Sequence, residues 1–385
     1  MIKRIYLDYA AATPVDPRVK KAMDDFCAQG FANPAGIYEE GLFAKRAMES
    51  ARKTIADFIG AKSPEIIFTS STTESNNLAI LGVAMANREF GKHLITTSAE
   101  HVSVLNVFKQ LEKEGFEVTY LAVDEYGMVS ANDVGSAIRL DTILVSIIFA
   151  SNEIGTINPI GQIGKGIKGK KGGNGFPYFH TDAAQAAPHI KINAESLGID
   201  LMSFSASKMY GPKGAAALYI KHGVNISSII FGGSQENNMR AGTQDVCGII
   251  GFAKAVEITI SESSGEDKRL EVLRDKIISQ IKSAFPNALL NGSTTERLAN
   301  NINFSIPVVS GEKIVTAMDM AGFSLSTRSA CDAKNSVPPH VIKSLGRTDE
   351  EAWGAFRITL GRYTTQEDAD KFINAFIETI NKLNL

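Results

Sequence analysis

An α/β fold is predicted for this chain: a large, mostly parallel sheet flanked by helices, followed by a smaller α+β domain. Three observations carry that prediction. Apolar runs of strand length alternate with amphipathic helical patterns through most of the sequence. The run Thr142 to Phe149 is almost continuously apolar, as a strand covered on both faces must be. Around Ser261 to Asp267 the composition turns polar, which divides the chain into a large domain at 15–260 and a small one made of 1–14 with 261–385.

At 385 residues the chain exceeds a single small core. A formal charge of −2 argues against a nucleic-acid or membrane-surface binder and leaves small molecules and proteins as partners. The three cysteines, Cys27, Cys247 and Cys331, form neither a disulfide framework nor a C-x-x-C pair, so a reducing, cytoplasmic setting is expected, with Cys27 and Cys247 as packed thiols. No metal site is expected. There is no apolar run of membrane-spanning length, and the N-terminal residues turn polar too soon for a signal peptide.

Taken in order, residues 2–7 read as a short strand and Asp16 opens a helix; Tyr38 to Phe58 is a long helix ending at Gly60. Glu65 to Thr69 is a strand, Ser70 to Glu74 a turn, and Asn76 to Phe90 a helix. Hydroxyls at such a helix start suit either a phosphate or plain N-capping. The unit repeats with the strand His93 to Thr97, after which His101 falls at a strand's carboxyl edge, where sheet ligands are met. A strand at 117–123, a helix near 131–139 and the strand at 142–149 follow, the last ending in Asn152. Lys165 to Gly175 is glycine-rich and basic but lacks the ending of a nucleotide loop, so it reads as a solvated connector. The strand Pro177 to Asp182 ends in an acid, with Gln185 just beyond. Next, Ile199 to Ser205 leads to Lys208 and a sharp turn at Gly211-Pro212. Beyond the polar stretch, Leu270, Leu273, Ile277 and Ile281 mark an amphipathic helix, and a small α+β pattern runs to a final helix at 366–383.

Alone, Lys208 reads as a solvated turn lysine. In a parallel sheet, however, Thr73, His101, Asn152, Asp182 and Lys208 all fall on one edge. A lysine amine partly withdrawn from water is a nucleophile toward aldehydes. Pyridoxal phosphate asks for that lysine, an anion seat, a carboxylate for its pyridine nitrogen and a flat ring to stack.

The motifs Tyr6-Leu7-Asp8, Thr73-Glu74-Ser75-Asn76-Asn77, Glu100-His101, Asn152-Glu153-Ile154-Gly155-Thr156, Asp182-Ala183-Ala184-Gln185, Ser203-Phe204-Ser205 with Lys208, Gly211-Pro212-Lys213-Gly214, Arg240 with Gly242-Thr243, and Ser329-Ala330-Cys331 resemble the cysteine desulfurases of the NifS/IscS type. The match is in register over nearly the whole chain. It implies fold type I of the pyridoxal phosphate enzymes, within the class V aminotransferase group, and a homodimer. The segment 332–339 resembles the long catalytic loop of group I.

By that resemblance Lys208 is the Schiff-base lysine, Asp182 the partner of the pyridinium nitrogen, Gln185 a contact to the cofactor's phenolic oxygen and His101 a catalytic residue that stacks on the ring and moves protons. Thr72, Thr73, Ser205, Ser207 and, across the dimer, Thr243 are implied to hold phosphate. Asn152, Arg357 and Asn33 are implied to bind the substrate, L-cysteine, with Asn152 contacting the cofactor as well. Cys331 is the implied nucleophile that carries sulfur as a persulfide to an acceptor protein, an iron–sulfur scaffold or a thiolation carrier. Departures from the family pattern are Ser207 for a histidine, Ser71-Thr72 for Gly-Ala, with a strained backbone expected at Ser71 if φ is positive, Tyr38 for a histidine, and Arg328 for a glycine. A selenocysteine lyase, another class V lyase or aminotransferase, or a cofactor-poor paralogue serving as a binding partner are the alternatives.

Overall fold

A computed structural model describes residues 4–383 except 174, 308 and 328–336. The elements of the sheet region are β1 (Ile5–Tyr6), α1 (Pro17–Cys27), α2 (Glu39–Phe58), β2 (Ile66–Thr69), α3 (Thr72–Asn87), β3 (His93–Thr97), α4 (Val102–Lys113), β4 (Glu117–Leu121), α5 (Ala131–Ala137), β5 (Thr142–Ser146), α6 (Ile160–Lys168), β6 (Tyr178–Asp182), β7 (Leu201–Ser205) and β8 (Ala216–Ile220). They are followed by α7 (Val246–Ala284), β9 (Leu289–Leu290), β10 (Asn301–Ser305), α8 (Gly311–Met320), β11 (Phe323–Ser324), α9 (His340–Ser344), α10 (Asp349–Trp353), β12 (Ala355–Thr359) and α11 (Gln366–Lys382).

The main sheet has seven strands in the order β2-β8-β7-β6-β5-β3-β4. Only β8 runs against its neighbours, pairing antiparallel with both β2 and β7. The carboxyl ends of β2, β3, β5, β6 and β7 therefore share one edge.

Alternation along the strands sorts the core onto two faces. Ile66, Phe68, Ile95, Val145 and Met202 join the cluster that includes Ile55 of α2 and Phe252 of α7. Their neighbours Ile67, Leu94, Leu144 and Leu201 pack instead with Leu78 of α3 and Phe108 of α4. A third cluster gathers Leu270, Leu273, Ile277 and Ile281 of α7 with β10, β12 and α11. The helix α7 thus serves two cores and runs unbroken through 261–267, where its polar side chains make ties rather than a linker: Glu266 accepts from Arg362 and Asp267 from His189.

Four expectations change. Cys27 and Cys247 are not separate packed thiols but a disulfide, with Cα atoms 6.1 Å apart. The end of α1 packs on the start of α7, a proximity hidden by 220 residues of separation, and the cysteine count no longer argues for a reducing compartment. The helix α3 begins at Thr72 rather than Asn76, because Ser71 Oγ accepts from the Glu74 amide as an N-cap. Ser71 itself has φ −165°, extended backbone, so the strain foreseen there is absent. The segment from Lys165 is helical as far as Lys168, and Lys171 beyond it pairs with Asp200. Among the described residues no helix is long and apolar enough to cross a membrane, and no cluster of potential metal ligands is found.

Candidate active site

The shared edge opens into a cavity of about 260 Å³. Lys208 reaches it from the short helical turn after β7, and its Nζ donates to the carbonyls of Ala10 (2.8 Å) and Ala11 (2.5 Å). The turn behind the lysine is held tightly. Tyr210 adopts φ 60°, uncommon for a bulky residue, while its amide donates to Thr13 Oγ1 and Arg362 lies 4.3 Å over its ring.

Asp182, the last residue of β6, is 4% exposed; its Oδ1 accepts from the Ala184 amide at 3.0 Å and its Oδ2 from Asn76 Nδ2 at 2.8 Å. Gln185 lines the same wall and donates to the Ala10 carbonyl at 2.9 Å. His101 caps α4 and also lines the cavity. Burial pulls its imidazole below the ordinary value, Asp182 opposes that, and Lys208, His340 and Arg357 add to it.

The first turn of α3 forms the far end, where Thr72 and Thr73 meet Ser205 and Ser207, whose hydroxyl oxygens are 3.2 Å apart. Thr72 Oγ1 is buried without a hydrogen-bond partner. A buried hydroxyl left unpaired costs stability unless a ligand satisfies it. Hydroxyls and orphan amides at a helix start suit a phosphate dianion. Arg240 ties this turn to the chain before α7 through Glu74 at 2.8 Å.

At the other end, Asn152 and Arg357 line the cavity. Arg357 is 1% exposed; Nη1 donates to the Asn152 carbonyl at 2.9 Å, Nη2 pairs with Asp8 at 2.6 Å, and Nε has no partner. A buried guanidinium with a donor to spare is a seat for a carboxylate.

Asn33 and Thr243 are not brought here. They line a separate surface pocket beside Cys27 and Cys247. Cys331 lies outside the described residues. Both flanks of its segment are anchored at the site: Ser326 pairs with Arg357 through main-chain bonds, and His340 Nε2 lies 2.9 Å from the Glu100 carbonyl. Sequence reasoning missed Asp8, Asn76 and Ser103 as side chains contacting site residues, and the carbonyls of Ala10 and Ala11. Asp8 and Asn76 stood inside the quoted motifs, but their partners are far away in sequence.

A lysine, a buried carboxylate on the same cavity, a histidine ring that caps a helix and an unsatisfied hydroxyl at a helix start together fit pyridoxal phosphate. The class V aminotransferase family model matches residues 5–372. The chain belongs to that family and is a pyridoxal phosphate enzyme of mixed α/β fold. It is 49% identical over 383 residues to the cysteine desulfurase IscS of Dictyoglomus turgidum, covering 100% of this chain and 96% of the relative. Among solved structures, a NifS-like protein superposes with a TM-score of 0.92 at 36% identity, covering 98% of this chain and all of the other. SspA in complex with cysteine gives 0.81 at 36% identity, over 94% of this chain and 99% of that one.

Proposed function

We propose that the chain converts L-cysteine to L-alanine and passes the sulfur, as a persulfide on Cys331, to an acceptor protein. The observation that carries this reading is the convergence of Lys208, Asp182 and Arg357 on one cavity, between an anion seat and the anchored flanks of the Cys331 segment. Lys208 Nζ is the group that holds the cofactor aldehyde and takes the substrate Cα proton. Asp182 would keep the pyridine nitrogen protonated, Gln185 would address the phenolic oxygen, and His101 would cover the ring. Thr72, Thr73, Ser205 and Ser207 seat the phosphate; Arg357 and Asn152 hold the substrate carboxylate. When bound, pyridoxal phosphate supplies the electron sink that acidifies the substrate Cα and loosens its C–S bond. Cys331 is the nucleophile that takes the sulfur.

The acceptor in this reading is an iron–sulfur scaffold or a thiolation carrier, which fits the IscS name of the relatives. A cytoplasmic homodimer is part of the same proposal. In support of the dimer, Phe31, 83% exposed, lines the pocket of Asn33 and Thr243, the large apolar side chains Ile37 (91%) and Phe231 (87%) are also exposed, and a second copy would carry Thr243 to a phosphate seat it does not line in its own chain. The domain division at residue 260 also stands as a proposal, supported by the switch of α7 from one core to the other.

The test is the visible spectrum of the purified protein with and without L-cysteine, with alanine and sulfide measured under a reductant. A cofactor band that shifts with cysteine, and sulfide release lost in Cys331→Ala, are expected. A protein that stays colourless and inert after reconstitution with pyridoxal phosphate would overturn the reading.

A further inference from the structure

His101, Ser103, Asn76 and Asp182 form one hydrogen-bonded row from a histidine to a carboxylate that both line the cavity. His101 caps α4, and its Nδ1 lies 3.1 Å from the Ser103 main-chain nitrogen. An amide N–H can only donate, so Nδ1 presents its lone pair. Ser103 Oγ is 2.7 Å from the same Nδ1 and must also donate. Its own lone pairs then accept from Asn76 Nδ2 at 2.9 Å, and the second proton of that amide nitrogen goes to Asp182 Oδ2 at 2.8 Å. Turning the Asn76 amide over would set its oxygen against the Asp182 carboxylate, acceptor against acceptor. Asn76 is 0% exposed, and its Oδ1 has no partner, so these two bonds are the hydrogen bonds its side chain makes. Every proton in the chain is thereby placed, and each bond runs toward Nδ1 at one end and toward the carboxylate at the other.

We propose that Asn76 and Ser103 are positioning residues that lock His101 as the neutral Nε2–H tautomer, so that it meets the cavity as a hydrogen-bond donor and not as a base. Protonating the ring would require Nδ1 to give up two donors at the positive end of α4, which disfavours a cation. Removing the Nε2 proton would leave an anionic ring beside a buried carboxylate. The work of taking the substrate Cα proton then falls to Lys208 alone. The same amide that orders the histidine also orients Asp182, so the ring that would stack on the cofactor and the carboxylate that would pair with its pyridine nitrogen are set by one side chain of α3. This inference rests on the pyridoxal phosphate reading for its chemical meaning, but the tautomer is a property of the chain itself.

The experiment is long-range ¹H–¹⁵N correlation on ¹⁵N-histidine protein at one fixed, mildly acidic pH, before and after loading with pyridoxal phosphate. The six histidines are distinguished by the signal lost in His101→Gln. The expected wild-type spectrum shows His101 with Nδ1 bare and Nε2 protonated in both states. Ser103→Ala should increase the doubly protonated fraction several-fold, Asn76→Ala should do so to a smaller extent, and Ser103→Thr should restore the wild-type spectrum. Asp182, Lys208, His340 and Arg357, the charged or titratable groups acting on the ring, are unchanged in these variants. A wild-type His101 protonated at Nδ1, or a Ser103→Ala spectrum identical to wild type, would overturn the proposal. Cofactor capture is read separately by visible absorption: a locked tautomer in a protein that never captures pyridoxal phosphate would refute the site reading and leave the lock standing.

Discussion

Arg357 and Asp8 form an ion pair 2.6 Å long that joins β12 to the segment after β1 at the floor of the cavity. Arg357 is buried, so its charge is tolerated only through such partners. With Nη1 on the Asn152 carbonyl and Nη2 on Asp8, the guanidinium is held in one orientation and its Nε edge remains unpaired.

From that arrangement, Arg357→Lys is expected to raise the KM for cysteine by about tenfold to a hundredfold, the worth of a hydrogen bond to a charged group, with a smaller effect on kcat. Steady-state kinetics with alanine as the measured product decides it. An unchanged KM would remove Arg357 from the carboxylate seat.

Thr72→Val removes a hydroxyl that has no partner in the chain. The cofactor-free protein should be as stable as wild type or more stable by about 1 kcal/mol, while affinity for pyridoxal phosphate drops about tenfold or more. Urea unfolding and cofactor titration read the two effects independently, and a loss of stability with unchanged affinity would contradict the phosphate role.

Glu100 is entirely enclosed, and burial pushes its carboxyl from 4.5 up to about 8, against the pull of the Ile148 amide and the Thr97 hydroxyl. A carboxyl whose folded value is raised favours the folded state below the unfolded value, and that contribution is lost as pH rises toward 8. Melting temperatures of wild type should therefore fall relative to Glu100→Gln between pH 4.5 and 8, since the amide cannot ionise. Parallel curves across that window would count against it.

The Cys27–Cys247 disulfide predicts a linked peptide in a non-reducing digest. Cys27→Ser should lose the linked peptide and about 2–4 kcal/mol of stability, measured by denaturant unfolding of the unreduced protein. Free thiols at both positions in the native protein would refute the pairing.

Much of this site was legible because each strand announces its own end. Asp182 closes an apolar run, Lys208 follows another, and His101 a third, so alternation alone lines them along one edge before any motif is matched. The terms that stayed hidden are those in which one residue matters through another far along the chain. Asp8 is ordinary until Arg357 is beside it, Asn76 reads as a helix residue until Ser103 and Asp182 flank it, and Cys27 reads as a lone thiol until α7 arrives. The polar stretch in α7 has a physical cause that composition alone does not show: it falls where one unbroken helix passes from the first core to the third, so its side chains face ties to Arg362 and His189 and not an apolar cluster.

The reversed strand β8 sits between β2 and β7, with Ile66 paired to Tyr219 although more than a third of the chain lies between them. The turn after β2 and the lysine after β7 are thus neighbours only once β8 has been made and inserted between them. Loop closure on that scale comes late in folding. On the ribosome, a growing chain would carry its anion seat long before it carried anything to hold against it, and capture of the cofactor would report that the whole sheet has closed.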